Sequence, residues 1–359
     1  MPTTNVIIIG AGVVGLTTAN LLSRHKNLRI TIVSKHMPGD YDIEYASPWA
    51  GANYFPMGKP GSNLQKFEKA TWAELDRLCR EVPEAGIHYQ ETVIFGRKKD
   101  ADSATGRWLQ ELVREDAWFK DVFRVLLKSE IPAGYDTGTS FTSVCLNTAI
   151  YLPWLLGQCV KNGVVLKRGI LSHISEAVSL HHSGELADIV VNCTGLLAAK
   201  LGGVMDSDVY PGRGQIVLVR NEPGVMATVS GTDDGDDEAT YIMQRAVGGG
   251  TILGGCLQHG RWESQPDPNL AQRIMQRSIE ICPALAPKTG KVSELSVIRH
   301  GVGLRPMRKG GPRVEKERIG GVWIVHNYGH GGYGYQASYG SAWEVEKLVE
   351  GILGEKARL

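Results

Sequence analysis

The chain has 359 residues, with 39 Lys plus Arg against 38 Asp plus Glu. That near-balance leaves no large field of one sign to hold nucleic acid or an anionic membrane, so the expected partner is a small molecule. The length exceeds what one hydrophobic core comfortably serves and predicts two subdomains.

In chain order, Asn5–Ile9 is an apolar β-branched run, as in a strand buried on both faces of a parallel sheet. A helix follows from Val13 to His25 and a second strand from Leu28 to Val33, which makes one β-α-β unit. Gln65–Arg80 has the apolar spacing of an amphipathic helix, Gly106–Lys128 reads as a charged helical stretch, and Tyr151–Cys159 as another helix. Gly163–Leu166 and Ala187–Asn192 are strand candidates. Residues 213–256 alternate like an antiparallel sheet, with Gln215–Val219 and Thr240–Met243 as strands, an acidic loop at Asp233–Glu238 and a turn at Gly248–Gly250. Gly320–Val325 is the last strand and Ala342–Leu353 the closing helix.

Six scattered cysteines without a C-x-x-C pair predict reduced, mostly buried thiols, and no His or Cys spacing suggests a metal site, the His181–His182 pair and His330 included. No basic n-region precedes the first strand, and no apolar run reaches the ~18 residues of a membrane span. Ala357-Arg358-Leu359 follows the small-basic-Leu pattern of a peroxisomal address.

Gly10-Ala-Gly12-Val-Val-Gly15 is a G-x-G-x-x-G between a buried strand and a helix. Gly10 permits the tight turn, Gly12 a close approach of backbone to pyrophosphate, and Gly15 close helix–strand packing, while the helix N-terminus offers free N–H groups to phosphate. This fingerprint does not choose between NAD and FAD. The acid expected about 20 residues on is missing: the chain reads Val33-Ser-Lys-His36, where Lys35 and His36 suit a phosphate, as in NADP, and Ser34 suits a ribose hydroxyl.

The far end decides for a flavin. Ile324–Gly334 runs from a strand into a turn with four glycines, and Ser338–Ala342 opens a helix, offering backbone donors to the flavin's pyrimidine end, where negative charge gathers on reduction. This segment, with His326-Asn-Tyr-Gly329, Gly331-Gly332, Gly334, Gly340 and Ala342, resembles the signature of the D-amino-acid oxidase family. Ser47–Asn53 resembles that family's flavin-contacting loop, Asn192–Gly195 its second cofactor turn, Gly212–Gln215 its interdomain strand and Gly303–Pro306 its substrate-arginine motif. The likeness is strongest to fungal members, whose stretches match at 47–53 and 309–315 except that Lys309 stands where arginine is frequent.

The resemblance implies an α/β fold, with a discontinuous Rossmann-type FAD-binding domain (1–55, 145–210 and 300–359) and a mainly antiparallel-sheet substrate domain (56–144 and 211–299). It implies non-covalent FAD held by Gly10, Gly12, Val13, Val14, Gly15, Ser34, Lys35, Ser47, Gly51, Ala52, Asn53, Ile170, Thr194, Gly195, Arg305, Gly329, Gly331, Gly332, Tyr333, Gly334 and Gln336. Arg305 is expected to fork onto the substrate carboxylate, as a guanidinium does best, and Tyr241 to orient it. Met57 and Met226 are expected to wall the side-chain pocket, completed by Tyr241, Arg305 and Gln336.

The implied reaction moves the Cα hydrogen of a D-amino acid as hydride to flavin N5, needs no general base, and yields a 2-oxo acid, ammonia and, with dioxygen, hydrogen peroxide. Tyr241, where D-aspartate oxidases tend to place a cation, favours neutral or apolar substrates over acidic ones. The lid stretch Asp233–Glu238 lacks the second tyrosine many relatives carry. Expected partners are the peroxisomal import receptor and a second copy in a homodimer. The rival readings are a D-aspartate or glycine/sarcosine oxidase of the same fold, and an NADP-binding reductase or non-catalytic flavoprotein.

Overall fold

The computed structural model describes residues 3–112, 119 and 122–356. In chain order the strands are β1 (Thr4–Ile9), β2 (Leu28–Ser34), β3 (Ile87–Gly96), β4 (Arg124–Val125), β5 (Thr137–Leu146), β6 (Val165–Arg168), β7 (Ile189–Asn192), β8 (Val209–Val219), β9 (Met226–Val229), β10 (Glu238–Gln244), β11 (Thr251–Cys256), β12 (Gln258–His259), β13 (Val297–Arg308), β14 (Arg313–Ile319) and β15 (Val322–Tyr328). The helices are α1 (Val13–Leu22), α2 (Asn63–Glu81), α3 (Ala104–Leu112), α4 (Thr148–Lys161), α5 (Pro268–Ile281) and α6 (Ser338–Lys356). None of the described helices is long and apolar enough to cross a membrane.

Two sheets organise the chain. The first has the order β14-β15-β7-β1-β2-β6, parallel throughout except for the β14–β15 edge pair. Its central strand is buried on both faces because Val6 and Ile8 pack toward α1, α4 and α6, while Ile7 and Ile9 pack with Val190 and Ile324 on the other side. Such double burial is why β1 reads as an unbroken apolar run. The second sheet has nine strands, in the order β12-β8-β11-β10-β9-β3-β5-β4 with β13 paired to β8. All of its pairings are antiparallel except β3 with β9.

Several expectations change. The helical reading of Gly106–Lys128 holds only in the segment shared with α3. Residues 124–125 form strand β4 on the edge of the second sheet, and 113–118, 120 and 121 lie outside the described residues. One domain boundary shifts as well. A boundary at 300 would cut β13, whose twelve residues run along β8 with Arg305 opposite Gly212, so Arg305 belongs to the antiparallel sheet. Helix α2, expected in the substrate part, packs on β3 and β5 of the antiparallel sheet and also on α6, where a Cβ on Gly340 would lie 2.3 Å from the Phe67 carbonyl oxygen, a crossing only glycine permits. All six cysteines are free thiols, five of them buried. The C-terminal tripeptide lies outside the described residues.

Candidate active site

The parallel strands deliver the glycine fingerprint to the carboxyl edge of their sheet, where open α/β folds bind ligands. Gly10 follows β1 at φ +110°, and a Cβ there would stand 2.4 Å from the Cys193 carbonyl oxygen. Gly15 lies one helical turn on, and its Cβ would meet the Gly10 oxygen at 2.0 Å. The loop is braced by hydroxyls: the Ala11 amide donates to Ser34 Oγ (3.0 Å), the Val13 amide to Ser47 Oγ (3.0 Å), and the Tyr45 hydroxyl to the Ala11 oxygen (2.7 Å).

Two of the expected cofactor residues, Ser34 and Lys35, line the cavity but already have protein partners. The Ser34 hydroxyl accepts from Ala11 and donates to the His36 oxygen at 2.6 Å, so it shapes the turn, its proton is used, and it can meet a ribose hydroxyl only as an acceptor. Lys35 is spent on Glu44, with Nζ 2.9 Å from the carboxylate, a hydrogen bond that raises its pKa. The acid beside Lys35 weakens the phosphate reading that favoured NADP. Glu44 itself lines the cavity beside Lys35, ten residues past the end of β2, where a spacing rule does not look. His36, Asp42 and Glu44 bring ligand atoms within 4.8 Å of one another, but Glu44 already serves Lys35 and Lys200.

One cavity of about 1070 Å³ extends from this loop to the second sheet. Every residue expected to touch flavin or substrate lines it, from Gly10, Val13 and Val14 at one end through Gly51–Asn53, Ile170 and Thr194–Gly195 to Met57, Met226, Tyr241, Arg305 and Gly329–Gln336 at the other. Its size lies just above the ~300–1,000 Å³ usual for ligand pockets.

At the far end Arg305 is set against the glycine-rich turn. The Gly331 amide donates to the Pro306 oxygen at 2.9 Å, and a Cβ on Gly332 would lie 3.7 Å from Arg305 Cδ. The guanidinium donates to the Cys256 oxygen (3.0 Å) and, at 3.4 Å, to the Tyr241 hydroxyl. No carboxylate pairs with it among the described residues. Glycines make the space: a Cβ on Gly214 would strike Arg305 Nη1 at 2.4 Å, and one on Gly254 would strike the Tyr241 ring at 2.0 Å. Burial raises the pKa of the Tyr241 phenol and of the neighbouring Cys256 thiol, so both are neutral at physiological pH.

Gln336 is corrected. Its amide donates to the Phe55 oxygen (2.7 Å) and to Glu68 (2.6 Å) and accepts from the Phe55 amide (3.1 Å), so it ties the turn to the 55–58 wall and has no donor left for a flavin ring. Glu68 is fully buried and also accepts from the amides of Met57 and Gly58. Burial pushes its carboxyl from 4.5 up to about 7, against the pull of those donors. In that window the folded state binds the extra proton, so this group's contribution to stability falls as pH rises from about 4.5 to 7. Wild type is expected to lose stability relative to Glu68→Gln over that rise by up to ~3 kcal/mol. Thermal melts of both proteins across the window check this, and parallel curves would contradict it.

Other lining residues escaped the sequence reading: Thr92, Thr228, Cys256 and Leu257, while Asp236 and Asp237 of the expected lid stretch also line the cavity. Thr228 sits opposite Tyr241 across β9 and β10, and Cys256 ends β11 beside Arg305, both brought in by sheet register that no local pattern announces. His330 also lines the cavity, buried and neutral, with its pKa pushed down to about 4.

The residues fit FAD, because the cradle that a Cβ would fill at Gly10 and Gly15 opens into the same cavity as the glycine-rich turn. The chain matches the sequence profile of the FAD dependent oxidoreductase family over residues 5–348. It belongs to that family. Among relatives it is 55% identical over 352 residues to a D-amino-acid oxidase of Fusarium vanettenii, covering 97% of each chain. It is 36% identical to a D-amino-acid oxidase of Schizosaccharomyces pombe over 96% of each. The fold is also that of a glycine oxidase from Geobacillus kaustophilus, with a TM-score of 0.75 at 19% identity over 97% of this chain and 95% of that one.

Proposed function

We propose that the chain is an FAD-dependent oxidase that converts neutral and apolar D-amino acids to 2-oxo acids, ammonia and hydrogen peroxide. The observation that carries this reading is Arg305, a guanidinium without an acid partner that faces a neutral phenol at the end of the cavity where the glycine-rich turn lies. Flavin, when bound, supplies the acceptor for the Cα hydrogen as hydride and passes the electrons to dioxygen.

The protein's own part is alignment. Arg305 takes the substrate carboxylate, for which no side-chain carboxylate competes, and Tyr241 adds a hydroxyl without adding charge. Because Tyr241 and Cys256 stay protonated, neither serves as a base, and the substrate reacts with its amine already neutral. The imino acid product then adds water to release ammonia. Met57 and Met226, both buried, offer an apolar and adaptable wall to the side chain, which disfavours a second carboxylate.

Peroxide release measured across D- and L-amino acids, with glycine and sarcosine, tests the reading. D-Alanine and D-methionine are expected to react fastest and L-isomers not at all; a preference for D-aspartate or sarcosine would overturn it. We also propose that Ala357-Arg358-Leu359 directs the peroxide-forming enzyme to peroxisomes, which loss of import on deleting the tripeptide from a fluorescent fusion would support.

A further inference from the structure

Directly behind the 47–53 loop lies a buried cation with no acid. Arg245, just past β10, is 4% exposed, and no carboxylate pairs with it among the described residues. Its Nη2 donates to the backbone oxygens of Pro48 (3.1 Å) and Ala50 (2.9 Å), and its Nε has no partner. The titratable groups that influence it most are Tyr335, Cys145, Tyr41 and a second cation, Arg299, which itself lies 4.2 Å over the Tyr41 ring. Burial penalises this guanidinium and only two backbone oxygens, with no acid, offset it, an arrangement that costs stability. The loop it grips is the cavity wall: Ser47, Trp49, Ala50, Gly51, Ala52 and Asn53 all line it. The same loop is held from the cofactor side, where Ser47 Oγ accepts from the Val13 amide and the Ser47 oxygen accepts from the Tyr335 hydroxyl at 2.8 Å.

We propose that Arg245 is a positioning residue that rivets the flavin-facing loop to the antiparallel sheet and, through its uncompensated charge one peptide layer from the cavity, makes the flavin site favour negative charge. The role rests on the flavin-oxidase reading above and adds to it. Arg305 attracts the substrate anion, whereas Arg245 touches no substrate and acts on the ring's electron affinity through the loop. A single unpaired charge about 10 Å from an anion through protein of effective dielectric ~20 changes its affinity by on the order of tenfold.

Sulfite reports this directly in the FAD-loaded protein, because its sulfur lone pair forms a bond to flavin N5 and leaves the added electron pair as negative charge on the ring. Arg245→Lys keeps the charge, and Arg245→Gln keeps a donor for the Ala50 oxygen without it. Sulfite is expected to bind the Gln variant about tenfold more weakly than wild type, and the Lys variant within about threefold of wild type. Wild-type affinity in the Gln variant, or equal weakening in both, overturns the proposal. Should the Gln variant not hold flavin, retention by Lys alone supports it and loss by both overturns it. D-Alanine oxidation is read in parallel: an active enzyme with unchanged sulfite affinity removes this inference and leaves the oxidase reading intact.

Discussion

Arg305→Ala is expected to lower kcat/KM for D-alanine by roughly 10²- to 10³-fold while the protein keeps its flavin. The arithmetic follows from truncating one partner of a desolvated charge pair, which costs ~2–5 kcal/mol because the other charge is left buried and unpaired. In this cavity the stranded group is the substrate carboxylate, with only the Tyr241 hydroxyl and backbone left to it. Arg305→Lys is expected to recover little, since a point charge does not replace a two-toothed fork and would lose contact with either Tyr241 or the Cys256 oxygen. Folding suffers little, because the side chain is only part-buried and forms no ion pair among the described residues. Steady-state peroxide kinetics and the visible flavin spectrum measure the two effects separately; a variant within threefold of wild type would remove Arg305 from substrate binding.

Gly15→Ala is expected to abolish flavin binding, the second large effect. A methyl group there would stand 2.0 Å from the Gly10 carbonyl oxygen, which is backbone and cannot swing away. The strand-to-helix turn must open, and with it the row of amides that faces the phosphates. Overpacking costs ~1–3 kcal/mol in ordinary cores and is worse against main chain. Gly157→Ala is the matched control, an exposed position in α4 with nothing within 4 Å of the new carbon. There the same substitution is expected to be neutral or to stabilise by ~0.5–1 kcal/mol. Flavin content after desalting and thermal melts of both variants decide the point, and a yellow Gly15→Ala protein would refute it.

Much of this site was legible without coordinates, and the failures have a common form. Gly10, Gly12 and Gly15 are local: strand, turn and helix lie within a dozen residues, and the backbone's need for glycine is written at fixed spacing. Ser34 and Gln336 also lie in the right place, but their side chains bond to protein, Ser34 to Ala11 and His36, and Gln336 to Phe55 and Glu68. A motif assigns a position to a cavity; it does not say which hydrogen-bond partner wins there, since that depends on residues as far as 281 positions away. Glu44 shows the reverse, an acid delivered to the cavity wall by a loop whose path no periodicity specifies.

By itself the sequence determined the nucleotide-binding unit and the flavin class, because turns that need glycine and buried apolar strands are short-range properties of the chain; Arg305 and Tyr241 were reached only through the resemblance to a family. Only the tertiary structure decided that β13 runs along β8 and sets Arg305 against Tyr241 and the Gly331–Gly332 turn. It alone showed that Arg245 lies buried without an acid behind the flavin-facing loop. The reason is physical: strand pairing across dozens of residues and the absence of a counter-charge are relations between distant segments, and they exist only once the sheets have closed around one cavity.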